Sequence, residues 1–225
     1  MLPLEEVKRN IGIKAAELVQ EGMVVGLGTG TTAKCLINAL AERIRTGLSI
    51  QVVATSKASE AQAQAAGFTF ADINSITSID LTLDGADEIT PDLQMIKGKG
   101  GALLREKIIA SMSKEMVALV DETKCVKTLG EAKLPVEIVP FGEMSTLRRI
   151  EALGLKGEWR REGGQLYKTD GGHLIADFAG VRGKDPRTLE KEITQIPGVV
   201  ETGFFFDIAK RIIVGCRDGS VRNSY

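Results

Sequence analysis

The chain has little of what a disulfide framework or a soft metal site requires. Its 225 residues include three cysteines and one histidine, and the cysteines are far apart and lack Cys-x-x-Cys spacing. Neither a disulfide framework nor a zinc knuckle is therefore expected, and a reducing cytoplasm suits this cysteine usage best. The N-terminal segment lacks the basic and apolar regions of a signal peptide, and no apolar run approaches about 20 residues. We expect a soluble, cytoplasmic protein.

A surplus of one charge sign is also missing. Lysine and arginine together number 29, aspartate and glutamate 30, and the net charge is −1. The chain therefore has no global field to attract nucleic acid or an anionic membrane, and neither is expected as a partner. Any anion-binding site must be local. The length suits one large or two small domains with a substantial core.

Two patterns alternate in the first 130 residues. Short apolar runs typical of buried strands occur at residues 23–27, 50–54, 79–83 and 116–120. Helical patterns lie between them, for example at residues 32–44 and 56–66. Strands that alternate with helices are typical of a parallel sheet covered by helices. The sequence therefore predicts an α/β domain with a mostly parallel, Rossmann-like sheet.

The order of patterns changes after Pro135. The elements predicted there are a strand (136–139), a helix (145–153), two strands (158–161 and 173–178), a helix (186–196) and a strand (199–205). This is the β-α-β-β-α-β order of a ferredoxin-like, split-βαβ domain. The last apolar run, residues 211–216, is predicted to return to the first domain as an additional strand. The expected division is an α/β domain of residues 1–130 and 207–225 and a smaller α+β domain of residues 131–206.

The first glycine-rich motif, VVGLGTGTT at residues 24–32, lies where a strand meets a helix. It is G-x-G-x-G, and the second strand is followed by Thr55 and Ser56 instead of the acid that would hold an adenosine ribose, so a dinucleotide site is disfavoured. Hydroxyls and backbone N–H groups at a helix N-terminus suit a single phosphate better. The simpler alternative is that Thr31 or Thr32 only caps the helix.

An acidic turn, DGADE, follows the strand at residues 79–83. Asp84 and Asp87 are therefore expected at the carboxyl end of a sheet strand, where open α/β folds place ligands. An Asx turn with Gly85 at the bend is the structural alternative. Carboxylates alone could bind magnesium, but no histidine is nearby, and the single histidine, His173, is interpreted as structural.

A second glycine-rich motif, KGKGGALLREK at residues 97–107, offers lysines and backbone N–H groups to an anion and opens a helix. Within that helix, Glu106 has only apolar neighbours three and four positions away: Ala102, Leu103, Ile109 and Ala110. A carboxylate on such a face is either desolvated, with the raised proton affinity that suits a general base, or exposed on a face of different orientation. Together with the acidic turn, the motif suggests a phosphorylated polyol as ligand.

Four segments in the same order resemble one family. GLGTGTTA at residues 26–33, DGADEI at 84–89, MIKGKGGALLREKI at 95–108 and LPVEIVP at 134–140 are similar to type A ribose-5-phosphate isomerases, and the similarity continues through IPGVVETGFF at 196–205. The resemblance implies a two-domain α/β enzyme of the non-oxidative pentose phosphate pathway. Such an enzyme interconverts D-ribose 5-phosphate and D-ribulose 5-phosphate without metal or organic cofactor, as a homodimer or homotetramer.

The resemblance also implies roles for individual residues. Glu106 corresponds to the proton-transferring glutamate, and Asp84, Asp87 and Lys97 to the catalytic polar groups around the sugar. The substrate-binding set is Thr29, Gly30, Thr31, Thr32, Asp84, Gly85, Ala86, Asp87, Lys97, Gly98, Lys99, Gly100 and Lys124. Lys99 stands where the family commonly has glycine, so a positive φ at this position would strain the loop.

The expected chemistry explains these residue types. Aldose–ketose conversion removes a weakly acidic proton from C2 and returns it to C1 through an enediol-like intermediate, and one carboxylate can serve both carbons. We expect Glu106 to carry this proton, Lys97 and loop N–H groups to stabilise oxyanion charge, and Asp84 or Asp87 to assist ring opening. Two other classes remain open: an enzyme acting on amino sugar phosphates or transferring acyl groups, and a non-catalytic sugar-phosphate sensor. The sensor is disfavoured because no DNA-binding helix-turn-helix is indicated.

Overall fold

The computed structural model describes residues 1–224, except for the side chain of Ser224. It contains six α-helices in this range: α1 Leu4–Ala16, α2 Thr31–Arg45, α3 Lys57–Ala65, α4 Leu103–Ser111, α5 Glu143–Glu151 and α6 Pro186–Thr194. The strands are β1 Val24–Leu27, β2 Gln51–Ala54, β3 Thr69–Phe70, β4 Ile79–Gly85, β5 Glu88–Ile89, β6 Met95–Ile96, β7 Ser113–Asp121, β8 Leu134–Ile138, β9 Lys156–Trp159, β10 Arg161–Glu162, β11 Gln165–Leu166, β12 Leu174–Ala179, β13 Val199–Thr202, β14 Phe204–Phe205, β15 Ala209–Gly215 and β16 Val221–Ser224.

The chain forms two compact units. The first unit comprises Met1–Ala86, Arg105–Cys125 and the chain from Asp207 onward, and the second comprises Asp87–Leu104 and Val126–Phe206. Residues 87–104 and 126–130, which the sequence analysis assigned to the α/β domain, group with the second unit here. One reason is that β5 and β6, within residues 87–104, form a three-stranded sheet with β14. The proposed division into two domains stays a prediction.

The first unit is built on a seven-stranded sheet in the order β16-β15-β7-β4-β1-β2-β3. All neighbouring strands pair in parallel except β15 and β16, which are antiparallel. The predicted mostly parallel sheet is therefore confirmed, and so is the return of the last apolar run, because β15 pairs with β7. Apolar residues on α1 and α2 pack with sheet residues in one buried core. Val25, Leu27 and Leu83 in that core are each fully buried, which contributes about 1.5–3 kcal/mol per side chain.

The second unit contains a four-stranded antiparallel sheet in the order β13-β8-β12-β9. When its four strands are numbered in chain order, this sheet has the 4-1-3-2 order of a split-βαβ fold, as predicted. Leu147 and Ile150 of α5 and Leu189 and Ile193 of α6 belong to one buried cluster with sheet residues. Asp185 begins α6 as its N-cap, and its side chain accepts a hydrogen bond from the Thr188 N–H.

The predicted strand at residues 199–205 is divided into β13 and β14 at Gly203. The Gly203 N–H donates to the carbonyl of Pro135 at 2.7 Å, and its carbonyl accepts from the Lys97 N–H at 2.8 Å. A Cβ at Gly203 would lie 2.4 Å from the Lys97 carbonyl oxygen, so only glycine fits here. The chain therefore changes sheets at Gly203, which apolar patterning did not indicate.

Within the described part of the chain, no helix combines the length and the apolar character that crossing a membrane would need.

Candidate active site

The candidate residues of the first unit lie at one edge of its sheet. Strands β1, β2, β4 and β7 are parallel, so their carboxyl ends meet at the same edge. Strand β1 lies between β2 and β4, so the chain runs outward from β1 in both directions. This is the topological switch point at which open α/β sheets bind ligands. Thr29 follows β1 and Asp84 lies at the end of β4, on the two sides of this point.

Gly26 and Gly28 allow β1 to lie very close to β4. A Cβ at Gly26 would lie 2.0 Å from the Thr82 hydroxyl oxygen, and one at Gly28 would lie 2.0 Å from the Asp84 carboxylate and 2.6 Å from its Cα. The first two glycines of the G-x-G-x-G motif are therefore required by strand packing. Strand packing therefore explains these two glycines without a bound nucleotide.

Asp84 is 1% exposed and ties the end of β4 to the loop after β1. Its Oδ1 accepts hydrogen bonds from the Thr29 N–H at 3.1 Å and from the Gly85 N–H at 2.7 Å. The Gly28 N–H donates to the carbonyl of Leu83 at 3.0 Å, next to the same contact. The carboxylate thus does more than shape its own turn, because it also holds the backbone of the loop that leads into α2.

A chain of hydroxyl groups supports that loop from the side of β2. The Thr29 hydroxyl lies 2.7 Å from the Thr55 hydroxyl and 2.8 Å from the Ser56 hydroxyl. Ser56 caps α3 by accepting from the Ser59 N–H, and the Ser59 hydroxyl donates to the carbonyl of Gly28 at 2.7 Å. The network returns to the loop from which it starts, so the Thr29 hydroxyl serves to fix the loop.

The N-terminus of α2 has the features of an anion site. Its N-cap is Gly30, with φ of 102°, and no side chain caps the helix. The alternative that Thr31 or Thr32 is the cap is therefore wrong, because both lie inside the first turn. No acidic residue occupies that turn. The free N–H groups and the helix dipole favour a negative charge there.

Glu106 is 3% exposed. Its helical neighbours Ala102, Leu103, Ile109 and Ala110 are buried as well. The alternative of an exposed carboxylate on a misjudged face is therefore wrong. Ile109, one turn further along α4, packs against Val53 and Ile79 of the sheet. The Glu106 carboxylate is therefore shielded from bulk water.

Lys124 lies in a short 3₁₀ turn, Glu122–Lys124, directly after β7. Asp121, at the end of β7, begins this turn by accepting a hydrogen bond from the Thr123 N–H at 3.1 Å. Because β7 lies next to β4 and runs parallel to it, Lys124 is at the same sheet edge as Asp84. It brings a positive charge to that edge.

The second unit carries the remaining candidate residues. Asp87 precedes β5, and its Oδ2 accepts a hydrogen bond from the Lys99 N–H at 2.9 Å. Lys97 is 3% exposed, and its Nζ lies 5.3 Å from the centre of the Phe205 ring, which is within cation–π range. Gly98 is buried, whereas Lys99 and Gly100 are exposed. Asp87 of the acidic turn is thus joined by a direct hydrogen bond to the glycine loop, residues 97–101.

Lys99 is not strained in this loop. The positive φ values belong to Gly98, at 110°, and Gly101, at 78°, while Lys99 is outside the left-handed region. The Gly101 N–H donates to the carbonyl of Gly98 at 3.0 Å, so the loop is a tight turn with Lys99 and Gly100 at its centre. Lysine is therefore compatible with the backbone at this position.

The single histidine, His173, lies in the second unit and is not one of the candidate residues. In residues 1–224, no group of three or more His, Cys, Asp or Glu side chains is placed to hold a metal ion. His173 Nδ1 lies 2.9 Å from Oε1 of Glu137, a carboxylate that also accepts from the Thr169 hydroxyl at 2.9 Å. These contacts agree with a structural histidine.

Comparisons with known proteins now decide the family. Residues 51–219 match the family model for ribose 5-phosphate isomerase A (phosphoriboisomerase A). Ribose-5-phosphate isomerase A of Gloeobacter violaceus is 44% identical over 220 residues, covering 97% of this chain and 96% of that protein. The chain belongs to the ribose 5-phosphate isomerase A family. The similarity extends to solved structures. Ribose 5-phosphate isomerase A of Methanocaldococcus jannaschii superposes with a TM-score of 0.92 at 36% identity over 99% of both chains.

A second solved isomerase is informative because of its ligand. It is a D-ribose-5-phosphate isomerase in complex with phospho-erythronic acid, and it superposes with a TM-score of 0.93 at 34% identity over 99% of both chains. These matches confirm the predicted family and its mixed α/β fold. Membership of the ribose 5-phosphate isomerase A family makes the chain an enzyme of the isomerase class.

Sequence reasoning missed several residues that shape the site. Ser59 and the side chains of Thr55 and Ser56 form the hydroxyl network, yet short polar residues after a strand also occur in ordinary turns. Arg160 donates to the carbonyls of Gly98 and Lys99 from 61 or more positions away. No local pattern could indicate such a contact. The glycine-rich motif did include Gly28, but the reason for a glycine at this position is its close contact with Asp84.

Replacing Gly28 with alanine should disrupt this site. The new Cβ would overlap the Asp84 carboxylate and its backbone, so we expect a loss of stability of about 1–3 kcal/mol and a displaced carboxylate. Chemical denaturation measures the first effect, and a crystal structure of the variant the second. Gly85→Ala is the matched control for stability, because its Cβ would be 3.7 Å from its nearest neighbour. Equal stability of the two variants would contradict the packing argument.

Proposed function

We propose that this chain interconverts D-ribose 5-phosphate and D-ribulose 5-phosphate by proton transfer at Glu106, without metal or organic cofactor. The observation that carries the proposal is the match to ribose 5-phosphate isomerases along nearly the whole chain. The burial of Glu106 supports the mechanism, because the exclusion of bulk water limits side reactions of the enediolate and loss of the transferred proton. The reaction belongs to the non-oxidative pentose phosphate pathway of the cytoplasm.

In the proposed mechanism, one proton moves between two adjacent carbons. After ring opening, the Glu106 carboxylate takes the C2 proton, the C2–H electrons form the C1=C2 bond, and the carbonyl electrons move onto O1. Glu106 then returns the proton to C1 while the O2 proton passes to O1, which leaves a ketone at C2. Atoms and electrons balance with no further reactant, since aldose and ketose are isomers.

The other residues act on charge and position. Lys97 and the N–H groups of the glycine loop stabilise the oxyanion that develops at O1 and O2. Asp84 or Asp87 assists ring opening and proton transfer between the hydroxyls. Asp87, which is less buried than Asp84, already faces the loop through its bond to the Lys99 N–H.

The phosphate is assigned to the N-terminus of α2. Thr31 and Thr32 supply hydroxyls, the first turn supplies N–H groups, and no carboxylate in that turn opposes the charge. Gly30 permits close approach, because its position has open space around it. Gly85 and Ala86 continue from Asp84 and line the sugar, and Lys124 contributes positive charge from the end of β7. As the family resemblance implies, the active protein is a homodimer or homotetramer.

The direct test is turnover of ribose 5-phosphate with and without chelator. We expect purified protein to form ribulose 5-phosphate at the same rate in EDTA and without added nucleotide. A coupled or circular-dichroism assay of ketose formation measures this. Loss of activity in EDTA that magnesium restores would reassign Asp84 and Asp87 as metal ligands. Binding without turnover would indicate a sensor, and turnover only of an amino sugar phosphate would indicate the other enzyme class.

The phosphate site is tested by replacing Thr31 and Thr32 together with alanine. We expect KM for ribose 5-phosphate to rise roughly 10- to 100-fold, since hydrogen bonds to a charged group are lost, while thermal stability changes little. Unphosphorylated ribose should be a poor substrate of the wild type. Thr46→Ala, at the other end of α2, is the matched control, because the Thr46 hydroxyl donates only to the Arg43 carbonyl within the helix. An unchanged KM in the double variant would contradict the assignment of the phosphate to the N-terminus of α2.

The base is tested by Glu106→Gln, which keeps the shape of the side chain but cannot accept the C2 proton. We expect kcat to fall about 10²- to 10⁴-fold while substrate still binds. Exchange of the C2 hydrogen with deuterated water, followed by NMR, should be lost as well. Glu60→Gln is the control, because Glu60 is an exposed first-turn glutamate of α3. Near-normal turnover and exchange in Glu106→Gln would contradict this role and indicate that Asp84 or Asp87 carries the proton instead.

A further inference from the structure

Arg160 of the second unit donates hydrogen bonds to the backbone of the glycine loop. Nη1 of Arg160 donates to the carbonyl of Gly98 at 2.8 Å and to the carbonyl of Lys99 at 3.2 Å. Arg160 lies between β9 and β10, about 60 residues further along the chain than the loop. Two successive carbonyls of a loop at the proposed site thus converge on one side chain.

Arg160 is itself fixed by Asp177 of β12. Its Nε donates to Oδ2 of Asp177 at 2.9 Å, and Nη2 donates to Oδ1 in the same bidentate pair. Only 16% of the Arg160 side chain and 21% of the Asp177 side chain are exposed. A bidentate pair fixes the guanidinium plane, so the direction of Nη1 is determined as well. Because the charges of Arg160 and Asp177 balance, the pair orients the loop backbone without adding net charge beside it.

The peptide geometry determines where the loop N–H groups point. In a trans peptide, the carbonyl and the N–H of the following residue point in opposite directions, and residues 1–224 contain no cis peptide bond. The carbonyl of Gly98 faces Arg160, and the N–H of the same peptide, that of Lys99, donates to Asp87 at 2.9 Å. The next peptide has its carbonyl at Arg160 too, so the Gly100 N–H points away from Arg160. Two successive N–H groups therefore leave the loop on the side opposite Arg160.

Tyr167 supports the same loop at its far end. A Cβ at Gly101 would lie 2.2 Å from the Tyr167 hydroxyl oxygen, so the tyrosine packs directly on the loop backbone. The Tyr167 N–H donates to the carbonyl of Arg160 at 2.9 Å, and the Arg160 guanidinium lies 5.9 Å from the Tyr167 ring centre. Arg160 and Tyr167 thus form one support for residues 98–101.

We infer that Arg160, held by Asp177, is a positioning residue for the isomerisation, which keeps the Lys99 N–H on Asp87 and directs the Gly100 N–H at the oxyanion of the enediolate. The inference rests on the proposed function. An N–H group that is already oriented needs no reorganisation when charge develops, so it stabilises the transition state more than the bound substrate. Loss of Arg160 should therefore lower kcat and leave KM almost unchanged.

The variants for the test are Arg160→Met, Arg160→Lys and Asp177→Asn. Arg160→Met removes both hydrogen bonds to the loop, and we expect kcat to fall about 10- to 100-fold with KM within about threefold of the wild type. Arg160→Lys, which has no planar fork, should recover only part of the activity. Asp177→Asn leaves the arginine in place but weakens its orientation, so it should also lower kcat. Arg161→Met is the matched control, because Arg161 is exposed and donates to the Gly164 carbonyl outside the loop.

A second measurement separates positioning from stability. Phospho-erythronic acid carries a planar carboxylate whose two oxygens resemble those of the enediolate, so its inhibition constant should rise in Arg160→Met in proportion to the loss of kcat/KM. Melting temperatures determine an assay temperature at which every variant is folded. A variant that stays folded with unchanged kcat and unchanged inhibition overturns the inference, and so does a change in KM alone. If the wild type and Arg161→Met do not isomerise ribose 5-phosphate, the proposed function fails and the inference fails with it.

Discussion

The close contact between β1 and β4 is the constraint on which the rest of the first unit depends. Two glycines, Gly26 and Gly28, remove the side chains that would otherwise separate the strands at Thr82 and Asp84. Because the strands meet so closely, the Asp84 carboxylate can accept the Thr29 N–H. The loop that follows then starts α2 at a defined point, and the direction of its N-terminus follows from that start. The buried Asp84 carboxylate and the start of α2, the proposed phosphate site, are thus fixed by one packing contact.

The mostly parallel sheet could be predicted because the burial of its strands produces apolar runs in the sequence. Parallel strands that are covered on both faces have nearly continuous apolar sequences. The segments that form β1, β2, β4 and β7 have such sequences. The burial of Glu106 could be predicted for a related reason. Its helical neighbours are all apolar, and a charge among apolar neighbours is conspicuous in a sequence whose other helices carry mixed faces. The split-βαβ order of the second unit was also readable from its alternating patterns.

The remaining features depend on contacts between residues far apart in the chain. The change of sheets at Gly203 follows from hydrogen bonds to Pro135 and Lys97, neither of which lies within 60 positions of it. The partners of Thr29 at Thr55 and Ser56 lie on another strand, and short hydroxyl side chains give no pattern by which to recognise them. The assignment of residues 87–104 to the second unit has the same origin, because β6 finds its partner in β14. Sequence nominates candidate residues for the chemistry more readily than it indicates the contacts that hold them.

The position of β15 has a consequence for synthesis of the chain. This strand pairs along β7, but β7 ends at Asp121 and β15 begins at Ala209. During translation, one edge of β7 therefore keeps unpaired N–H and carbonyl groups while residues 126–206 of the second unit are made. An apolar strand with an open edge is a template for wrong pairing, either with another nascent chain or within the same one. Strand β15 can close the central sheet only after these residues have been synthesised, so the sheet of the first unit is completed after the second unit.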